Sequence, residues 1–155
     1  MDKKAMYKLS YGLFVLTARD GEKDNGCIIN TAIQAASEPN QLSICVNKAN
    51  YTHDMIERTG KFTVSVLSEQ ADFELFKHFG FQSGRDVDKF ANFTGCARGA
   101  DGLYYITEGT NAYISRHIRD LADEHRMRTE IHRLIDRYGN VGIGSLCNVI
   151  EAISA

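Results

Sequence analysis

Four side chains in close succession, Lys48, Asn50, Thr52 and His53, carry the chemistry of an anion site at a helix start. A lysine supplies a point charge, and a threonine hydroxyl lies beside the free N–H groups of a first helical turn. The same spacing also describes a plain helix cap next to a solvated lysine. Just upstream, Asn30, Thr31, Gln34, Ala35, Ala36 and Ser37 gather small and short polar residues. Such residues let a backbone approach a flat heterocycle rich in donors and acceptors, of which an isoalloxazine is one; they equally describe a strand edge turning into a loop. A third cluster, Ser83, Gly84, Arg85, Asp86 and Lys89, offers cations that suit a reduced, anionic ring or a nucleotide phosphate. Its plain alternative is a solvated loop in which Arg85 pairs with Asp86 or Asp88, worth under about 1 kcal/mol.

Other chemistries find little support. Cys27, Cys45, Cys96 and Cys147 show no CxxC and no paired spacing, so neither zinc nor an iron–sulfur cluster is expected. Cys27 and Cys45 lie inside apolar runs, where a free cysteine acts as a small core residue. His125 and His132 share a face at helical spacing, and His117 precedes them, but no thiol or carboxylate pattern completes a metal site. GxGxxG, Walker, HExxH and GxSxG patterns are absent from the sequence, as is any arrangement that favours a nucleophile. With 155 residues, 43% hydrophobic and 25% charged, the chain is expected to form one globular domain. A net charge of −2 gives no reason to expect nucleic acid or an anionic membrane as partner. The N-terminal MDKKAMYK lacks a signal peptide's apolar stretch and no run reaches the ~20 apolar residues of a span, so a soluble, cytoplasmic protein is expected.

The elements that must position these clusters are mostly strands. Leu9–Ala18 and Cys27–Ile33 are aromatic and β-branched, and the turn composition of Arg19–Gly26 between them predicts a hairpin. Gln41–Asn47 and Lys61–Ser68 alternate with period two. Between them HDMIERTG predicts a helix capped by Thr52 and ended by Gly60. EQADFELFKHFG predicts a second short helix ending at Gly80, followed by a loop through FQSGRDVDKFANFTG. Leu103–Ile106 and Ala112–Ile118 read as strands around EGTN. Strands joined by turns, with short helices inserted, argue for a closed or nearly closed barrel and against alternating βαβ units. From Arg116 the texture becomes densely charged, with Met127, Ile131, Leu134 and Tyr138 at helical spacing, so an amphipathic helix is predicted over Asp120–Tyr138. VGIGSLCNVIEAISA fits a strand or a helix.

Taken in order, YGLFVLTARDGEKDNGCIINTAIQAASEPNQLSICVNKANYTHDMIERTGKFTVSVLSE followed by FKHFGFQSGRDVDKF resembles the flavin reductase-like family of FMN-binding split barrels. The branch it resembles is the flavin domain found alone or fused to rubredoxin. The resemblance covers about residues 5–115. It implies a mainly β fold, a six-stranded Greek-key split barrel with short helices, usually a homodimer with FMN near the interface. On this basis residues 1–115 form the FMN-binding core, and 116–155 form an atypical, helical C-terminal segment of the same domain. The resemblance also places Asn25 and Thr31 beside the flavin ring and Gln34–Ser37 against ring or ribityl atoms. Lys48, Asn50, Thr52 and His53 fall around the phosphate, and Lys89 reaches the cofactor from SGRDVDKF.

The activity implied is electron transfer from NADH or NADPH through FMN to free flavin, rubredoxin, a ferric complex or a partner oxygenase. Hydride passes at the flavin, and the protein supplies geometry with no catalytic acid or base of its own. One departure stands out: after NAYIS the family continues with a strand, a Gly-Thr-His turn and a closing strand, whereas this chain runs RHIRDLADEHRMRTEIHRLIDRYG. The histidine of that turn therefore has no counterpart assigned to His117, His125 or His132. Two other functions fit the same residues: an electron-transfer flavoprotein without turnover, and a dimerisation or regulatory domain with a degenerate flavin site.

Overall fold

The structure, a computed structural model, describes residues 8–38, 40–117 and 147–153. β1 (Phe14–Asp20) and β2 (Lys23–Ile29) form the first hairpin, closed by Gly21 and Glu22. Gly21 sits at φ +60°, a left-handed conformation that a two-residue hairpin turn demands and that glycine adopts without strain. The turn is thus narrower than the predicted Arg19–Gly26. Its charged residues continue the ladder, Arg19 facing Asp24 across the strands with an ion pair of 3.5 Å. The apolar run predicted over Cys27–Ile33 divides at Asn30 and Thr31. Beyond the break, β3 (Ala32–Ser37) and β4 (Asn40–Asn47) pair as a second hairpin.

α1 (Tyr51–Thr59) follows β4 and leads into β5 (Lys61–Leu67). Gly60, at φ +66°, ends α1 by giving its N–H to Ile56 O, as its position after the helix predicts. The chain continues through α2 (Phe73–Gly80), β6 (Cys96–Arg98), β7 (Tyr104–Ile106), β8 (Thr110–His117) and β9 (Cys147–Ile153). One sheet runs β2-β1-β5-β8 and the other β3-β4-β9, with β6 and β7 paired separately. The chain builds two strands in one sheet and two in the other, then returns to put β5 beside β1. This is a mainly β, split-barrel arrangement with a few short helices. The helix predicted over Asp120–Tyr138 lies outside the described residues. Within the ambiguous last stretch, Cys147–Ile153 is a strand, antiparallel to β4 from Gln41↔Ile153 to Asn47↔Cys147, so β4 is paired on both sides.

The barrel interior is filled from both sheets by Leu16, Ala18, Cys27, Ile29, Leu42, Ile44, Val46, Phe62 and Val64. Met55 and Ile56 of α1, both fully buried, plug it. A second core lies on the other face of the larger sheet, where Val15 packs with Leu75 and Phe79 of α2, Phe90 and Ile106. This second layer explains why Thr63 and Ser65, which alternate with apolar residues along β5, are as buried as their neighbours. Their hydroxyls are satisfied there: Ser65 Oγ accepts from the Ile106 N–H at 3.0 Å, and Thr63 pairs with Ser115. Thr17 does the same, donating to Tyr104 O at 2.5 Å.

Candidate anion and ring-binding site

At the start of α1, residues of β2, the end of α2 and the loop between Phe81 and Lys89 enclose a polar pocket of about 260 Å³. Its walls include Cys27, Asn50, Tyr51, Gly80, Ser83, Gly84 and Lys89. The helix cap is Asn50 and not the expected Thr52. Asn50 has extended backbone (φ −78°, ψ 131°), and its side-chain oxygen accepts from the Thr52 N–H at 3.0 Å. Asparagine is a strong N-cap, and its position leaves Thr52 inside the first turn, where its side chain is fully buried. There the hydroxyl accepts a hydrogen bond from Asn25 Nδ2 at 3.0 Å.

Lys89 is the unusual member. Its side chain is buried, 3% exposed, and the ammonium donates to two main-chain carbonyls, Gly26 O at 2.8 Å and Phe79 O at 2.9 Å. Among the described residues no carboxylate pairs with it. Burial pushes its pKa down, and the nearby Cys27 opposes that. Cys27 shows the mirror effect: burial pushes the thiol up, while Thr52, Lys89 and Asn50 pull the other way. A buried cation held by neutral carbonyls is screened less than one at the surface, so an anion entering the pocket meets a stronger attraction than an exposed lysine would give.

The loop that roofs the pocket is fastened to α1. Arg85 Nη2 bonds Asp54 Oδ2 at 2.5 Å, and the guanidinium lies 4.9 Å from the Tyr51 ring centroid. The pairing with Asp86 or Asp88 considered from sequence is therefore replaced by one across the fold, and Arg85 holds the Asp54 carboxyl below its usual range. Ser83 organises the turn itself, its carbonyl accepting from the Asp86 and Val87 N–H groups at 3.1 Å. Gly84 touches Asn25 so closely that a Cβ there would fall 2.0 Å from Asn25 Oδ1. Only glycine allows this loop to close on β2.

Of the remaining candidates, Asn30, Thr31, Gln34, Ala35, Ala36 and Ser37 lie apart from these walls, on β3 and the link before it. Asn30, Gln34, Ala35 and Ser37 are exposed, and the ladder with β4 shifts register between Gln34 and Ala36, a bulge that re-aims the intervening Ala35. Gln34 borders a second cavity, about 300 Å³, between the two sheets. Lys48 is exposed outside the pocket walls. His53 is buried with its ring between Asp54 (3.5 Å) and Glu57 (3.7 Å) on its own helix, a group of three that could hold a metal ion, with Asp54 also shared with Arg85 through its other oxygen. The structure thus brings Asn25, Asn50, Thr52, Ser83 and Lys89 together and sets Arg85 at the rim. Tyr51 and Cys27 of the pocket wall escaped the sequence reading as site residues: Tyr51 could have been found between Asn50 and Thr52, whereas Cys27 read as core, which it also is. Gly84 belongs to the third cluster, but its close approach to β2 emerges only with the fold.

Two antiparallel sheets plugged by one short helix, with a pocket bearing Lys89 at that helix's start, define a split barrel. Residues 6–134 match the flavin reductase like domain, and the chain belongs to that family. It is 37% identical over 123 residues to a high molecular weight rubredoxin from Moorella thermoacetica, a match covering 79% of this chain and 53% of that protein. It is 40% identical over 110 residues to a ferric-chelate reductase (NAD(P)H) from Archaeoglobus fulgidus, covering 71% and 59%. The chain therefore spans between about half and three fifths of the length of these relatives. Among solved structures, an FMN-binding protein from Thermus thermophilus superimposes with a TM-score of 0.65 at 21% identity, over 75% of this chain and 64% of its own. An NADH:FAD oxidoreductase from Streptomyces globisporus, solved with NAD and FAD fragments, does so at 0.64 and 24%, over 76% and 68%. Among the described residues no helix is long and apolar enough to cross a membrane.

Proposed function

We propose that the chain binds FMN and works as a flavin reductase, passing electrons from NADH or NADPH to free flavin, a rubredoxin or another acceptor. The observation that carries this reading is the buried Lys89 ammonium in the wall of a polar pocket beside the first turn of α1. Buried charge without a counter-ion is costly, and a phosphate supplies the missing partner. The donor set suits a phosphate: a lysine, the amide of Asn50, the hydroxyl of Ser83 and the main chain of the 83–89 loop. Asn30, Thr31 and the bulged stretch Gln34–Ser37 are assigned to the ring, where short side chains and free main chain permit close approach. Lys48 and His53, outside the pocket walls, receive no contact in this assignment.

When bound, the isoalloxazine supplies the hydride and single-electron chemistry. The residues of this chain bind and orient it, with the 83–89 loop packed against β2 at the phosphate end. The names of the relatives support the donor and acceptor classes: a reductase using NAD(P)H, an NADH:FAD oxidoreductase, and a rubredoxin. A homodimer fits the outer edge of β3, where Ile33 is 59% exposed. Anaerobic titration of the FMN-loaded protein with NADH and NADPH tests the activity. Bleaching of the flavin absorbance by at least one donor is expected; flavin that stays oxidised with both would contradict reductase function.

A further inference from the structure

Lys89 is held at both ends by consecutive residues of α2. Its ammonium donates to Phe79 O at 2.9 Å and to Gly26 O of β2 at 2.8 Å, while its own main-chain carbonyl lies 2.6 Å from His78 Nε2. A carbonyl only accepts, so His78 Nε2 carries a proton and donates it, which fixes the tautomer of the neutral ring. The ring plane is set by aromatic neighbours: it stacks on Phe93, with 5.0 Å between centroids and 22° between planes, and meets Phe79 edge-on at 4.8 Å. An ammonium has three N–H bonds; two are engaged by carbonyls, leaving the third for the pocket that Lys89 lines. A lysine's four-carbon stem is otherwise free to rotate, and freezing it at the moment of binding opposes association.

We propose that His78 is a positioning residue for the anion site, fixing the Lys89 main chain so that the ammonium is already in place when a phosphate arrives. The side chain of His78 holds the backbone of Lys89, and the backbone of Phe79 holds its side chain, so both ends are tied to one turn of helix. Without the imidazole donor the Lys89 carbonyl loses this bond, and the backbone from which the stem springs is released. His78 is not among the residues that wall the pocket, so it acts through Lys89. The proposal rests on the phosphate reading above and deepens it, assigning part of the preference for a phosphorylated flavin to a residue behind the pocket wall.

The test is the ratio of dissociation constants for riboflavin and FMN, measured by flavin fluorescence quenching on the full chain. His78→Phe keeps an aromatic ring against Phe79 and Phe93 but has no donor. It should reduce the preference for FMN roughly three- to tenfold with riboflavin nearly unchanged, the scale of losing one pre-organised side chain. His78→Gln, whose amide can donate to the same carbonyl, should retain most of the preference. In Lys89→Met the preference is already reduced, and adding His78→Phe should lower it no further. A ratio untouched by His78→Phe, a His78→Gln as impaired as His78→Phe, or an equal further loss in the Lys89→Met background would overturn the proposal. Should His78→Phe fail to fold, His78→Leu is read by the same criteria. A wild-type ratio near one would instead remove the phosphate reading, and this inference with it.

Discussion

Lys89 sets the electrostatics of the pocket, and its burial has a consequence for pH. Its amine loses a proton below the usual 10.5 because the wall desolvates it. A bound phosphate, dianionic above about pH 6, favours the protonated amine, so binding and proton uptake are linked above the lowered pKa. FMN affinity should therefore fall as pH rises through that lowered value, riboflavin affinity should not follow it, and Lys89→Arg should flatten the difference. For folding alone the sign reverses. The unfolded lysine binds more protons in the window up to 10.5, so this group adds stability as pH rises there, while the raised Cys27 thiol removes stability above 9.0. Gly84 carries a steric prediction: Gly84→Ala would put a methyl 2.0 Å from Asn25 Oδ1. A loss of about 1–3 kcal/mol in denaturant stability is expected, with weaker FMN binding as the loop lifts.

At the scale of elements, α1 does two jobs that a single residue joins. Asn50 caps the helix and also walls the pocket, and the two roles separate by substitution. Asn50→Ala should cost about 1 kcal/mol of stability through the lost cap. Asn50→Asp keeps the cap, so the unfolding midpoint should hold, while the added negative charge weakens FMN without weakening riboflavin. This helix was legible in the sequence from Met55, Ile56 and Gly60, as were β4 and β5 from their alternation. Its cap was misplaced by two residues because asparagine and threonine both serve at that position, and only the inward direction of Thr52 decides between them. β6 went unread because its Cys-Ala-Arg carries no β-branched or aromatic residue, whereas β7, equally short, is Tyr-Tyr-Ile, and the layer that buries Thr63 and Ser65 of β5 comes from distant sequence. Register and loop closure are long-range facts: Arg85 meets Asp54 across 31 positions, and Lys89 meets Gly26 across 63.

At the scale of the whole molecule, the fold sandwiches one sheet between two cores and so brings β2, α1 and the 83–89 loop to one place. Gly26 lets the Phe79 ring of α2 approach β2, where a Cβ would come within 3.0 Å of it, and the same contact brings Phe79 O to the Lys89 amine. The pocket is thus a product of the barrel's outer layer as much as of its strands. The ordered motifs around it made the family recognisable from sequence, while the two separate groups of candidate residues, one at α1 and one on β3, emerged only with the fold.

The central claim is that the pocket holds the phosphate of FMN through a buried cation, and isothermal titration of wild type and Lys89→Met with FMN and with riboflavin tests it most directly. A charge-assisted contact is worth about 1.5–3 kcal/mol, so Lys89→Met should weaken FMN roughly 10- to 150-fold and leave riboflavin nearly unchanged. Equal losses for the two ligands, or a wild type that does not distinguish them, would contradict it.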